Sequence, residues 1–427
     1  MFGVVTKVVL ITLCFNYLTS DCQPSNQTVI PVTSAPSASD SIAMLESLVG
    51  FDTTSNLSNL KLINFVQEFL QERGIASRLT HDSSGKKANL WATIGPQIAG
   101  GVVLSGHTDV VPVADQDWHS EPFTLNERDG KLYGRGTADM KGFIACVLAH
   151  TDFFIAQKPQ VPIHYAFSYD EEVGCIGVGG LIRDVAENLP LPAAVIVGEP
   201  TSMKIIGGNK GGRSFRTEVI GVDGHSSLPQ LGANAILAAN RIINKLVEIQ
   251  DRLISEADPD NGFIPPYTTL DLGLINGGTA TNIIPARCDF SWGFRGLPLE
   301  DMDAIEHEVR SYIDTDVLPQ LQAVSSNTSI TTHMRSDVPP LQPDENSAAE
   351  QVVRHLSRLN ESGRVSYGTE AGHFQQAGMP GVIFGPGSIE QAHLPDEYIS
   401  VEQMSACNDF MAKLGKWAAE TTPGKLV

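Results

Sequence analysis

Short apolar runs alternate with amphipathic segments along most of the chain, beginning near Ile42. The stretch Leu60 to Arg73 has apolar residues at helical spacing and is followed by Gly74, which is typical of a helix that ends at a glycine. Apolar runs such as Ile163 to Phe167 and Ala193 to Val197 are typical of strands buried on both faces. This alternation predicts an α/β fold, with a mainly parallel sheet covered by helices on both sides.

A second pattern begins at the glycine-rich run 207–212, whose composition predicts a flexible hinge. The elements after it are predicted in the order βαββαβ, over 213–222, 233–253, 268–275, 287–295, 302–322 and 329–334. That order describes a small α+β unit inserted into the first one, with a helical face and a sheet edge available for pairing. The predicted division is an N-terminal extension at 1–40, a catalytic domain in two parts at 41–207 and 337–427, and an inserted domain at 208–336.

The composition is that of a soluble globular protein, with 42% hydrophobic and 18% charged residues in a chain of 427. A chain of this length exceeds a typical single domain, which agrees with two structural units. The formal net charge of −20 argues against binding to nucleic acids or anionic lipid, since both are polyanions. We therefore expect a small-molecule substrate, with no nucleic-acid or membrane partner.

The six cysteines have no clustered spacing, so neither a disulfide framework nor a thiolate zinc site is expected. Reduced thiols in a cytoplasmic protein are the simplest interpretation. However, Lys7 is followed by the apolar stretch Val8 to Leu18, which is too short to span a bilayer but has the length of a signal-peptide core. Two alternatives stay open for residues 1–40: a disordered extension, or a targeting segment that leads to secretion or to an organelle.

Five side chains that bind metals well are each expected at the end of a short apolar run. Because parallel strands present their carboxyl ends at one edge of the sheet, these side chains are predicted to meet in one crevice. Two imidazoles and three carboxylates are typical of a hydrolytic site with two divalent ions. The predicted ligands are His107, Asp139, Glu172, Glu199 and His393.

Individual roles follow from the position of each residue. An isolated Asp139 would be interpreted as a helix N-cap, but two cations in one cleft need an anionic bridge, and a carboxylate provides one. Glu171, beside the ligand Glu172 in a run of three acidic residues, is predicted to be the general base for the attacking water. Asp109, two residues after His107, is predicted to accept the ring proton of that histidine.

From about residue 42 to the C-terminus, the chain resembles the M20 family of metallopeptidases and amidohydrolases. The motifs that carry the resemblance are Ser105–Pro112, Tyr133–Gly142 and Ser168–Gly174. Two later stretches, Gly368–Gly372 and Gly385–His393, resemble the acetylornithine deacetylase branch of that family. The resemblance implies a phosphorylase/hydrolase-like catalytic domain, an inserted lid and dimerisation domain, two zinc or cobalt ions, and a homodimer.

The resemblance also assigns residues. One ion would be held by His107, Asp139 and Glu199, and the other by Asp139, Glu172 and His393. Three residues of the inserted domain would contact the substrate. His225 would reach the substrate carbonyl, often across a dimer, whereas the contacts to the substrate carboxylate would be Asn282 and Arg295.

Other interpretations of single residues stay open. His225, in a loop of glycine and serine, is otherwise a solvated turn residue, and Arg295 is otherwise an ordinary surface arginine. His373 stands where the branch has an apolar residue, as a surface exchange or as a change to the substrate pocket.

The expected reaction is hydrolysis of N2-acetyl-L-ornithine to L-ornithine and acetate, a step of arginine biosynthesis. A dipeptidase, a carboxypeptidase or another deacylase is the first alternative, because the same metal centre serves any amide. A non-catalytic binding protein on the same fold is the second alternative, and the complete ligand set argues against it.

Overall fold

The computed structural model of the protein describes residues 34–425, so the expectations for residues 1–33 lie outside it. The α-helices of the described part are α1 (Ala38–Val49), α2 (Leu60–Glu72), α3 (Gly142–Ala149), α4 (Thr151–Gln157), α5 (Val178–Asn188), α6 (Ala235–Ser255), α7 (Met302–Tyr312), α8 (Leu318–Val324), α9 (Ala348–Ser357), α10 (Ala371–Gln376) and α11 (Val401–Glu420). The strands are β1 (Ser77–His81), β2 (Ala88–Ile94), β3 (Val102–His107), β4 (Asn126–Arg128), β5 (Lys131–Tyr133), β6 (Ile163–Ser168), β7 (Ala194–Val197), β8 (Ile205–Asn209), β9 (Gly212–Ile220), β10 (Thr269–Gly277), β11 (Arg287–Arg295), β12 (Ser329–Val338), β13 (Ser362–Val365), β14 (Gly381–Ile383) and β15 (Tyr398–Ser400).

Eight strands form the large sheet, in the order β1-β2-β6-β3-β7-β14-β8-β13. Its four central strands, β6, β3, β7 and β14, run parallel to one another, whereas β1, β2 and β8 introduce antiparallel pairs. Helices α1, α2, α3, α4, α9 and α11 pack in one hydrophobic core, and α5 and α10 pack in another that includes alternate residues of the same strands. The predicted α/β class, with a largely parallel sheet covered on both faces, is confirmed.

Four strands form the small sheet, in the antiparallel order β10-β11-β9-β12. Alternate residues of β11, from Cys288 to Phe294, are buried and pack against α6 and α7. The elements follow one another as βαββαβ, as predicted. The large and small sheets mark a large-sheet unit (34–211 and 339–425) and an inserted unit (212–338), and the short strands β15, β5 and β4 form a third sheet from residues of the large-sheet unit. The finer domain boundaries at 207–208 and 336–337 stay predictions.

The predicted helix 302–322 is confirmed as one helical run, in which α7 and α8 are joined by a wider π-helical turn, Ile313–Val317. Pro319 follows this turn directly, in the first turn of α8, where the widened backbone accommodates a residue that has no N–H. The hydrophobic period is the same on both sides of this turn, so periodicity alone did not reveal it.

The glycine run 207–212, whose composition predicts a flexible hinge, is buried throughout. Residues 205–209 form the buried strand β8, and only Lys210 and Gly211 separate it from β9. The Lys210 side chain is buried, and its Nζ donates to the carbonyls of Pro265 and Tyr267 at 2.8 and 2.6 Å. Glycine is needed here for close packing, because a Cβ at Gly211 would lie 2.7 Å from Pro340 and from the Val338 carbonyl oxygen.

Replacing Gly211 with alanine is expected to destabilise the protein by about 1–3 kcal/mol, because the added methyl meets backbone that has no room to move. Urea unfolding followed by tryptophan fluorescence measures the change. Gly273→Ala is the matched control, since a Cβ there has no heavy atom within 4 Å. Equal unfolding midpoints for both variants would show that the glycine run is loosely packed after all.

Candidate metal centre

The carboxyl ends of the central strands deliver most of the predicted site. His107 is the last residue of β3, Glu171 and Glu172 follow β6, Glu199 follows β7, and His393 lies in the loop after β14. These four strands are adjacent and parallel, so the loops after them lie on the same side of the sheet. The sixth residue, Asp139, is in a different position from the others. It lies in a wide turn, Thr137–Lys141, immediately before α3.

Asp139 lies between the two predicted histidines. Its Oδ1 is 3.0 Å from Nε2 of His107, and its Oδ2 is 3.4 Å from Nε2 of His393. Each histidine has a second carboxylate beside it: Glu199 Oε1 lies 3.8 Å from His107 Nε2, and Glu172 Oε2 lies 2.9 Å from His393 Nε2. The five side chains therefore form two halves that share one carboxylate, which is the arrangement a bridged pair of ions requires.

The donor set fits divalent cations. Two groups of potential ligand atoms, each within 4.8 Å of one another, occur here: His107 with Glu171 and Glu199, and His107 with Asp139 and Glu172. In the described part of the chain, the buried Oε1 of Glu172 has no hydrogen-bond partner. An unpaired buried carboxylate oxygen is costly unless a cation or a proton neutralises it.

The electrostatics of the site indicate the same need for positive charge. Burial, followed by the Asp139 carboxylate, raises the pKa of Glu199 well above its ordinary value, and the same two causes raise the pKa of Glu172. Burial opposes a charge on His107, but the carboxylates of Asp139 and Glu199 outweigh it and raise the pKa of this imidazole. Protons and metal ions compete for such groups, so metal binding here releases protons.

Glu171 lines the cavity beside the five candidate ligands. Burial raises the pKa of this carboxyl to about 8, with His107 opposing the shift and Glu172 adding to it. The thiol of Cys175 donates to Glu171 Oε1 at 3.2 Å. A carboxylate held by a neutral donor, next to a cluster of potential ligands, is suited to take and return a proton.

The prediction that the Asp109 side chain accepts the ring proton of His107 in a hydrogen bond is wrong, because the acceptor is the backbone of Asp109. Nδ1 of His107 donates to the backbone carbonyl of Asp109 at 2.9 Å, and the Asp109 carboxylate is 3.7 Å away. That carboxylate accepts instead from Ser55 Oγ at 2.7 Å and from the backbone N–H of Glu171 at 3.0 Å. Asp109 therefore orients His107 through its main chain and the loop of Glu171 through its side chain.

A cavity of about 610 Å³ lies between the metal centre and the inserted unit. The inserted unit contributes the near ends of its strands, including Arg295 of β11 and Asp271 of β10. Arg295 is thus placed where a substrate carboxylate could reach it. Arg335, to which no motif of the sequence points, also lines this cavity. It directly follows Met334, at an irregularity of the β12–β9 register that the sequence pattern does not reveal.

His225 and Asn282 are not brought to this cavity within one chain. They are exposed and lie next to each other, since Ser226 donates its backbone N–H to the Asn282 carbonyl. Both follow the far ends of strands in the small sheet. Strands rise about 3.3 Å per residue, so the end of β9 lies roughly 15 Å beyond Phe215, which still lines the cavity.

Two further residues bear on the site. Glu370 is buried beside the centre, and burial raises its pKa to about 7, with the hydroxyl of Ser168 opposing the shift. In the sequence, Glu370 stands out only as part of a family motif. His373 is half-buried on α10 and is absent from the lining of the cavity, so an effect on the substrate pocket has no support.

The chain matches the sequence model of peptidase family M20/M25/M40 over residues 103–416. An acetylornithine deacetylase from Myxococcus xanthus is 35% identical over 384 residues, which cover 87% of this chain and 95% of the relative. The metallo-carboxypeptidase Sso-CP2 from Sulfolobus solfataricus has a similar structure, with a TM-score of 0.70, 19% identity, and coverage of 90% of this chain and 100% of that one. For the YXEP protein of Bacillus subtilis, described as a dinuclear metal-binding peptidase, the TM-score is 0.61 at 16% identity, with 90% and 99% covered.

Proposed function

Because the chain belongs to peptidase family M20/M25/M40 and is a hydrolase of amide bonds, we propose that it removes the acyl group from N-acyl amino acids, with N2-acetyl-L-ornithine as its substrate. The position of Asp139 is the observation that carries this proposal. Its two carboxylate oxygens face one histidine each, at 3.0 and 3.4 Å, as a bridge between two ions requires. The identity to an acetylornithine deacetylase supports the choice of substrate.

The proposed ligands are His107, Asp139 and Glu199 for one ion, and Asp139, Glu172 and His393 for the other. Zinc or cobalt suits this mixture of imidazole and carboxylate donors. The description of the YXEP protein as dinuclear supports two ions rather than one. When bound, the ions would polarise the acyl carbonyl and make a water molecule more acidic.

Glu171 moves the proton in the proposed reaction. Its carboxylate takes a proton from the attacking water and later delivers it to the nitrogen of the departing amine, so one group serves as base and then as acid. Cys175, which donates to Oε1, leaves the other oxygen free for this transfer. Arg295, which also lines the cavity, would bind the substrate carboxylate and so hold the amide near Glu171.

A substrate panel tests this function. Purified protein supplied with zinc or cobalt is assayed against N-acetylornithine, N-acetylcitrulline, succinyl-diaminopimelate and dipeptides. The proposal expects the highest kcat/KM with N-acetylornithine. A higher value for a dipeptide would favour a peptidase, as in the structurally similar Sso-CP2. No turnover of any substrate by the metal-loaded protein would favour a binding protein.

We also propose a homodimer that forms through the inserted unit. Strand β10 is an edge of the small sheet and its residues from Asp271 to Gly277 are exposed, including Leu274 at 66% and Ile275 at 57%. An exposed apolar edge strand is suited to pairing with another copy. In such a dimer, His225 and Asn282 of one subunit would reach the cavity of the other, where they would bind the acyl carbonyl and the carboxylate of the substrate.

Mixing two inactive variants tests the shared site. His225→Ala and Glu171→Gln are each expected to be inactive, whereas co-expression is expected to restore part of the activity, since a mixed dimer holds one site with both residues intact. Light scattering of each protein measures the oligomeric state. If the mixture is as inactive as either variant, although mixed dimers are detected, His225 does not act across a dimer.

A cytoplasmic location accompanies this proposal. The four cysteines of the described chain are buried and free, as is usual in a reducing compartment. No helix within residues 34–425 is long and apolar enough to cross a membrane. Secretion or an organelle stays the alternative if residues 1–20 act as a targeting segment, and a fluorescent fusion at the C-terminus distinguishes the two.

A further inference from the structure

Two loops that carry candidate ligands are joined by a single carboxylate. The pairing of β5 with β15 places the loop of Asp139 next to Glu397. Oε1 of Glu397 accepts from the backbone N–H of Ala138 at 2.8 Å and of Asp139 at 3.0 Å. Its Oε2 accepts from the backbone N–H of Gly136 at 3.0 Å and from Arg135 Nη1 at 2.7 Å. Both oxygens are therefore fully used in fixing the turn that holds Asp139.

The same contacts continue to the second loop. Arg135 Nη2 donates to Oε1 of Gln116 at 2.5 Å, and Nε2 of Gln116 donates to the backbone carbonyl of His393 at 2.8 Å. His393 has a φ of 65°, a left-handed conformation that residues with a side chain rarely adopt. The hydrogen bond from Gln116 holds the carbonyl of this residue, and so it helps to fix the backbone from which the imidazole projects.

Stability alone does not account for this arrangement. Glu397 and Arg135 are each 1% exposed, and a buried ion pair recovers little net stability because both charges lose their water. None of the three residues lines the cavity, so none can touch the substrate. Their contacts converge instead on the main chain of Asp139 and of His393, two of the three ligands proposed for one ion.

We propose that Gln116, Arg135 and Glu397 are positioning residues that set the spacing of Asp139 and His393, and thereby the affinity for the divalent ion that these ligands share with Glu172. This inference rests on the proposed function, which supplies the pair of ions. Contacts that orient ligands typically contribute 10–100-fold to metal affinity.

Gln116→Glu separates the two halves of this network. The carboxylate still accepts from Arg135, but it cannot donate to the His393 carbonyl. Metal-depleted protein is titrated with Co²⁺, and the d–d absorption reports each ion bound. We expect one equivalent to bind as in the unchanged protein and the other, held in part by His393, to bind roughly 10–100-fold more weakly. The added negative charge alone would strengthen binding, so weaker binding reports the lost hydrogen bond.

Gln351→Glu is the matched control. Gln351 also donates its amide to a backbone carbonyl, that of Asn346, but on α9 and outside the cavity lining. Its Co²⁺ titration is expected to be unchanged. Glu397→Gln removes the charge that fixes the Asp139 turn, so both equivalents should weaken, since Asp139 serves both ions. If Glu397→Gln does not fold, the Co²⁺ titration of Gln116→Glu still tests whether the network sets the affinity for the ion.

Unchanged Co²⁺ affinities in Gln116→Glu, with two equivalents bound, would overturn the inference even if the melting temperature falls, because that result assigns the network to stability alone. The proposed function itself would be contradicted if the unchanged protein failed to bind a second equivalent of Co²⁺.

Discussion

Replacing Glu171 with glutamine is expected to lower kcat by a factor of roughly 10²–10⁴, with the fold and the metal content preserved. Glutamine keeps the size of the side chain and one acceptor oxygen, but it cannot take a proton from water. KM should change little, because Glu171 is not proposed to hold the acyl amino acid. Steady-state kinetics with N-acetylornithine, together with elemental analysis of the same preparation, measures both quantities.

The metal content of this variant is as informative as its rate. Glu171 lies close enough to His107 and Glu199 to be a ligand rather than a base. Loss of one ion in Glu171→Gln would show that it is a ligand, and full activity would exclude it as the base. Glu187→Gln, on the exposed side of α5, makes the same chemical change away from the centre and should leave both quantities unchanged.

Replacing Asp139 with alanine is expected to remove both ions at once and to lower turnover by roughly three orders of magnitude or more, because bound metal contributes several kcal/mol to transition-state stabilisation. The physical reason is the geometry of the carboxylate, whose two oxygens face one histidine each. Without it, the two halves of the site lose a shared ligand and a shared negative charge. Elemental analysis after gel filtration measures the retained metal.

The control for this variant is Asp289→Ala. Asp289 forms an ion pair of 3.1 Å with Arg216 on the small sheet, and it does not line the cavity. The metal content and the turnover of Asp289→Ala should equal those of the unchanged protein. If Asp139→Ala keeps one full equivalent of metal, the two ions do not share this carboxylate, and the proposed bridge is wrong.

The meeting of the candidate ligands at one site could be predicted because the sequence pattern indicates the topology of the sheet. Apolar runs ahead of His107, Glu172, Glu199 and His393 predicted buried parallel strands, and parallel strands end at one edge. The strands do form the centre of the large sheet, and the side chains do meet. An apolar pattern of this kind therefore predicts the order of the elements and the edge of the sheet at which the strands end.

The details that were wrong or missed depend on single atoms. The spacing in the sequence predicted that Asp109 lies near His107. It could not show that the backbone carbonyl of Asp109, rather than its carboxylate, accepts the hydrogen bond from the ring N–H. Glycine at 211 has the same appearance in a sequence whether it confers flexibility or permits close packing. Glu397 was missed because it fixes Asp139 through backbone groups, which no side-chain motif reveals.

The positions of His225 and Asn282 are not explained by a single subunit. His225 and Asn282 were assigned to the substrate by resemblance, yet in the single subunit they lie at the far end of the small sheet from the cavity. The role proposed for both residues therefore requires a second copy, and a sequence contains no direct record of how copies pair. In the proposed homodimer, the exposed edge of β10 would be the surface through which the copies pair.

Metal analysis of active protein is the decisive test of the proposed two-ion centre. We expect two divalent ions per chain, loss of turnover when a chelator removes them, and recovery when zinc or cobalt is returned. Active protein that contains no divalent ion, and that keeps its full rate after chelation, would contradict this proposal.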